Sequence, residues 1–232
     1  MTKDLVELER VIDVKFGDIN LLQEALTHRS FLNEKRAGDT HHNERLEFLG
    51  DAVLELAVTR FLFDEFPEKT EGDLTSLRAS LVNSNMLFQV ADKLKLHLYI
   101  RLSKGEAKDS GKGRHFILAN AMEALIGAIY LDRGYETSDT FVRKHICSNM
   151  GNILKKKLWQ DSKSVFQEKA QEKDGITPVY KVVEESGPDH EKYFVVGAYL
   201  GNELVAKGEG LSKQEAERAA AEKALSNKKW DK

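Results

Sequence analysis

Apolar residues recur at three- and four-residue spacings from Leu5 to about Leu154, and from Asp161 onward that period gives way to strand-like alternation. Leu5, Leu8 and Ile12 make one helical stripe, and Leu21, Leu22, Ala25 and Leu26 another. The stretches Leu46 to Phe63, Leu74 to Leu96 and Ile117 to Leu131 continue the pattern, with no alternating Val/Ile/Thr run among them. After a polar stretch that follows Lys155-Lys156-Lys157 and Trp159, a short helical pattern covers Ser164 to Lys173. Val179–Val183, Tyr193–Leu200 and Glu203–Gly208 then read as strands, the first two separated by the turn-rich Ser186-Gly187-Pro188-Asp189-His190. Ser212 and Glu215 form a Ser-x-x-Glu capping box that opens an Ala-rich helix. The expected fold is an all-α domain over residues 1–152, a linker over 153–160 and a small α+β domain of order α-β-β-β-α over 161–228.

Composition narrows the function classes. One cysteine, Cys147, excludes an intramolecular disulfide and any zinc site built on several thiolates. No apolar run approaches the ~20 residues of a membrane helix, and Met1-Thr2-Lys3-Asp4-Leu5 has no signal-like apolar core. A cytoplasmic protein without a membrane partner is expected. Thirty-five basic residues against thirty-eight acidic ones leave a net charge of −3, so any nucleic-acid binding must rest on local patches.

The segment His42 to Glu55 is the most informative. At about 100° per residue, Glu44, Glu47, Asp51 and Glu55 fall within an arc of about 80°, with Leu46, Leu49, Val53 and Leu56 mostly opposite. Like charges four residues apart destabilise a helix, and this arc contains no lysine. Two readings stay open: a solvated acidic face, or an oxygen-rich site for a hard divalent cation that shares its coordination with phosphate. Phe48, a large aromatic at the edge of the arc, suggests that something covers that face. On the nearly all-apolar stretch Ile117 to Leu131, Glu123 and Asn120 are the polar exceptions. A buried carboxylate there needs either an arginine partner or a metal, and Ala124, Gly127 and Ala128 leave room for a close-packed neighbouring helix.

Asn43-Glu44-Arg45-Leu46-Glu47-Phe48-Leu49-Gly50-Asp51 resembles the signature of the ribonuclease III family. Leu26-Thr27-His28-Arg29-Ser30, Glu71-Gly72-Asp73-Leu74-Thr75 and Glu123-Ala124-Leu125-Ile126-Gly127 resemble its secondary motifs, in the family's order. The C-terminal segment is similar to a double-stranded RNA-binding domain. The resemblance implies an Mg²⁺-dependent endoribonuclease, with Mn²⁺ as a substitute and no small-molecule cofactor. It would cleave double-stranded RNA to 5′-phosphate and 3′-hydroxyl ends and process ribosomal RNA precursors and other structured transcripts. It implies that Asp51 and Glu123 are catalytic, and that Glu47, Asn120 and Glu123 ligate metal. Asn120 stands where the family carries aspartate, which leaves a catalytically impaired or non-catalytic RNA-binding relative as the alternative. It further implies a homodimer with Phe48 at the interface, and RNA contacts from Gln167, Glu168, His190 and Lys213. Residues 161–232 hold 12 basic and 14 acidic side chains, so the isolated second domain is expected to bind weakly. Cys147 and His28 are expected to be structural, and His41 and His42 to cap or turn into the signature helix.

Overall fold

The computed structural model describes residues 4–32, 41–108, 112–155, 162–188 and 192–230. The chain separates into two compact units, Met1–Trp159 and Gln160–Lys232.

The first unit is helical: α1 (Leu5–Ile12), α2 (Ile19–Ala25), α3 (Arg29–Leu32), α4 (Glu44–Glu65), α5 (Glu71–Val82), α6 (Ser84–Lys93), α7 (Lys104–Lys108), α8 (Lys112–Arg133), α9 (Tyr135–His145) and α10 (Met150–Lys155). Local chemistry sets several of its boundaries. Asp4 accepts the Val6 N–H to start α1, which ends at Asp13 in the left-handed region (φ 58°). Thr70 and Asp73 close a capping box on α5. The stretch Leu74 to Leu96 forms two helices, because Asn83 adopts an extended conformation and its side chain caps α6 by accepting the Met86 N–H.

The core forms where α4 and α8 cross. Leu54, Val58 and Leu62 of α4 and Met122, Leu125, Ile126 and Ile129 of α8 are almost fully buried, with Leu77, Leu81 and Leu87 of α5 and α6 around them. Each such side chain contributes about 1.5–3 kcal/mol relative to exposure. Two glycines fix the crossing distance. A Cβ on Gly50 would stand 1.8 Å from the Glu123 carbonyl oxygen, and one on Gly127 would stand 2.2 Å from that of Leu46. The two backbones are therefore in direct contact, which no larger residue allows at either position. The small residues of α8 serve the close approach read from the sequence; its counterpart, Gly50, lies inside the signature segment.

In the second unit, β1 (Val179–Ser186), β2 (Tyr193–Leu200) and β3 (Glu203–Gly210) form an antiparallel sheet of order β1-β2-β3, flanked by α11 (Ser162–Asp174) and α12 (Lys213–Lys228). Val182 pairs with Val196 and Ala198 with Ala206, with irregularities at Val182/Glu184 and Ala198/Tyr199. The core combines Phe166 and Ala170 of α11, Ala198, Leu200 and Ala206 of the sheet, and Ala220, Ala221 and Ala224 of α12. The alanine run has a steric reason: α12 lies so close to β3 that a Cβ on Gly208 would meet the Ala220 nitrogen at 2.0 Å. Ser212 accepts the Glu215 N–H, and Glu215 accepts the Leu211 N–H, so the expected cap is present.

Candidate active site

The α4–α8 crossing places Glu47 and Asp51 opposite Asn120 and Glu123. Asp51 is exposed, and the other three are half-buried. Burial, followed by the charges of Asp51 and Glu47, pushes the Glu123 carboxyl up to about 7. Burial likewise raises Glu47, opposed by a hydrogen bond that the Asn120 amide donates to its carboxylate. Glu47 and Glu123 thus each feel the other acids across the crossing, and the Asn120 amide lies beside Glu47.

The ends of the acidic arc have different fates from its middle. Glu44 pairs with Arg29 at 3.3 Å, and Glu55 pairs with Arg78 at 3.0 Å. Arg78 also donates to Thr59. Among the described residues, Glu47, Asp51 and Glu123 have no cationic partner. The salt-bridge reading of Glu123 is therefore excluded among these residues, and two of the arc's four acids are neutralised by arginines that sequence reasoning did not single out. Arg29 lies within the Thr-His-Arg-Ser motif, which was the available signal; Arg78 carried none.

The donor set is three carboxylates and one amide oxygen, all hard ligands that suit Mg²⁺ or Mn²⁺. Among the described residues, no three acidic, histidine or cysteine side chains close around a single point. An open, partial shell is what Mg²⁺ accepts, since it keeps several waters and takes phosphate oxygens.

Phe48 projects into solvent at 83% exposure, and Leu56, expected opposite the acids, is exposed at 57%. A groove of about 840 Å³ runs beside Phe48, lined by Leu21, Glu24, Leu46, Leu49 and Leu131 among others; it does not include the acid cluster. His28 shares a 2.8 Å hydrogen bond with Ser30, whose hydroxyl also accepts the Ser103 N–H, consistent with a structural histidine. Cys147 is buried, and desolvation pushes its thiol up to about 12, so it is inert as a nucleophile. Asn43, next to His42, makes no side-chain cap on α4, and His42 Nδ1 lies 3.8 Å from Glu44. In the second unit, Gln167 and Glu168 are exposed on α11. Lys213 is the first residue of α12, with its ammonium 5.6 Å from the Phe194 ring centroid. His190 lies outside the described residues.

Residues 18–150 match the Ribonuclease-III-like family, and residues 162–228 match the double-stranded RNA binding motif. A curated relative, ribonuclease 3 of Magnetococcus marinus, is 44% identical over 225 residues, covering 95% of this chain and 92% of the relative. Ribonuclease 3 of Carboxydothermus hydrogenoformans is 42% identical over 223 residues, covering 96% and 95%. The nuclease domain of ribonuclease III from Campylobacter jejuni superposes with a TM-score of 0.57 at 43% identity, over 63% of this chain and 98% of that one. That structure is described as flexible in a region involved in dimer formation. The fold and site thus define a helical nuclease joined to a double-stranded RNA-binding module. The chain belongs to the ribonuclease III family and is an endoribonuclease of that class.

Proposed function

We propose that this endoribonuclease hydrolyses double-stranded RNA with Mg²⁺, or Mn²⁺ in its place, leaving 5′-phosphate and 3′-hydroxyl ends. The observation that carries this reading is the group of three carboxylates, Glu47, Asp51 and Glu123, without a cationic partner among the described residues, brought together where α4 and α8 touch. Glu47 and Glu123 would hold the cation, with the Asn120 oxygen as a neutral further ligand. When bound, Mg²⁺ supplies Lewis acidity that lowers the pKa of water and neutralises phosphate charge. Asp51, the most exposed of the three, would orient the attacking water by accepting its hydrogen bond. The Asn120 amide, which lies beside the Glu47 carboxylate, would help to orient it.

The second unit would supply grip. Lys213 sits in the first turn of α12, where free N–H groups and the helix dipole favour phosphate. Gln167, Glu168 and His190 would meet the minor grooves of an A-form duplex, which such modules read by shape and 2′-hydroxyls over ~16 base pairs. In this reading the RNA-binding domain spans 161–228, and the nuclease domain extends past the expected boundary at 152 to Lys155, because α10 buries Ile153 in the first unit's core, so the linker expected over 153–160 does not begin before residue 156. The protein works in the cytoplasm as a homodimer, with Phe48 inserted into its partner, and its natural substrates are ribosomal RNA precursors and other structured transcripts.

The test is cleavage of a long RNA duplex with and without Mg²⁺, with the product ends mapped. Metal-dependent cutting to 5′-phosphate and 3′-hydroxyl ends supports the reading. Duplex binding without cutting at any Mg²⁺ or Mn²⁺ concentration would favour the non-catalytic alternative that Asn120 raises.

A further inference from the structure

Phe116 lies on the same face of α8 as the site residues. By helical geometry it sits within about 40° of Asn120 and about 20° of Glu123, roughly 6 Å and 10 Å along the axis from them. Leu118, Met122, Leu125, Ile126 and Ile129 of α8 are buried, whereas Phe116 near its start and Leu131 near its end are 54% and 53% exposed; of these two, Phe116 is the one beside Asn120 and Glu123. The Phe116 ring stands edge-on to its chain neighbour His115 at 5.5 Å, and His115 is stacked on Phe88 of α6 at 4.3 Å. An aromatic ring offers a large apolar contact area with few rotatable bonds to fix on binding.

The substrate of this site accounts for the exposure. A duplex with one phosphate at the acids must continue past them, and successive phosphates of a strand advance by only roughly 3 Å along the axis. For a duplex that runs along α8 from the acids, the surface about 6–10 Å from Asn120 and Glu123 would face nucleotides two or three positions from the scissile bond. In A-form RNA the wide, shallow minor groove presents ribose edges and 2′-hydroxyls there, and a flat apolar ring packs well on a ribose face.

We infer that Phe116 is a positioning residue that packs against a ribose two or three nucleotides from the scissile phosphate and fixes which phosphate reaches the acids. The inference rests on the reading of the site as a double-stranded RNA hydrolase. It makes Phe116 part of substrate register, separate from metal binding and from the second unit.

The experiment uses the full chain and an end-labelled RNA duplex. Phe116→Ala is expected to lower the single-turnover rate at saturating duplex about tenfold, as displaced reacting groups do. It should also spread cleavage over neighbouring phosphodiesters while leaving the half-maximal Mg²⁺ concentration unchanged. Phe116→Tyr, which keeps the ring, should restore the wild-type cleavage positions. As a measurement independent of cutting, Phe116→Trp should change its emission on adding duplex in chelator, relative to the wild-type background of Trp159 and Trp230. Wild-type rate and cleavage positions in Phe116→Ala would overturn the inference. So would a Phe116→Trp protein whose emission responds to duplex no differently from the wild-type background. A Phe116→Ala protein that sediments as a dissociated species would also overturn it, by making the ring a subunit contact. Failure of the wild-type protein to cut any duplex would refute the underlying functional reading instead.

Discussion

Substituting Gly50→Ala adds one methyl group to α4 and tests whether the helix crossing sets the geometry of the acids. The new Cβ would lie 1.8 Å from the Glu123 carbonyl oxygen and 2.8 Å from the Gly127 nitrogen, where real contacts are not shorter than 3.0 Å. Both obstacles are backbone, so no side chain can swing away, and the helices must part by more than about 1 Å. Overpacking of a core costs typically 1–3 kcal/mol, and a backbone-to-backbone clash belongs at the upper end. About 3 kcal/mol lowers Tm by roughly 6–12 °C for a chain of this size. The same parting moves Glu47 and Asp51 away from Asn120 and Glu123, and a 1 Å error in reacting groups costs on the order of 100-fold in rate. The assay is thermal unfolding followed by single-turnover duplex cleavage, at a temperature where both proteins are folded. Gly151→Ala is the control, because its Cβ meets nothing within 4 Å. A Gly50→Ala protein with wild-type Tm and wild-type rate would refute the claim that this contact sets the carboxylate spacing.

Other outcomes follow from the same geometry. Glu123→Gln should abolish cleavage while leaving duplex affinity by gel shift nearly unchanged, because RNA grip is assigned to the other unit; a parallel loss of both would make Glu123 a folding or binding residue. Asn120→Asp replaces a donor on Glu47 with a further metal-facing charge from the family set. Two charges about 4 Å apart interact by roughly 4 kcal/mol at an effective dielectric near 20, before desolvation is subtracted, so the half-maximal Mg²⁺ concentration should fall; unchanged metal dependence would remove position 120 from the ligand set. Phe48→Ala should weaken the proposed homodimer more than the fold, which sedimentation at low micromolar concentration would contradict by showing an unchanged dimer. Metal competes with the proton on Glu123, whose carboxyl is raised to about 7, so metal affinity by calorimetry should rise with pH through that value. The sign for stability is the reverse: a carboxyl raised on folding stabilises the metal-free fold below its unfolded value, and that contribution is lost as pH climbs through 7.

Much of this molecule is written in short-range pattern. The helical period up to Leu154 and the strand alternation after Asp161 define the two architectures, because side-chain direction follows backbone period. The arc of Glu44, Glu47, Asp51 and Glu55 follows from 100° per residue alone, and the spacing of the signature motif makes the family recognisable without the fold. Periodicity gives an angle about one helix axis, however, and does not say what lies opposite. Only the tertiary structure pairs Glu44 with Arg29 and Glu55 with Arg78, leaving Glu47 and Asp51 for Glu123 across a contact that Gly50 and Gly127 make possible. It likewise sets Asn120 beside Glu47, exposes Leu56, and leaves Phe116 uncovered just before the nearly all-apolar stretch Ile117 to Leu131. The physical reason is common to all of these. Charge compensation and burial are decided by residues that the fold brings together, and those partners lie far apart along the chain, outside the few helical turns that a local pattern spans.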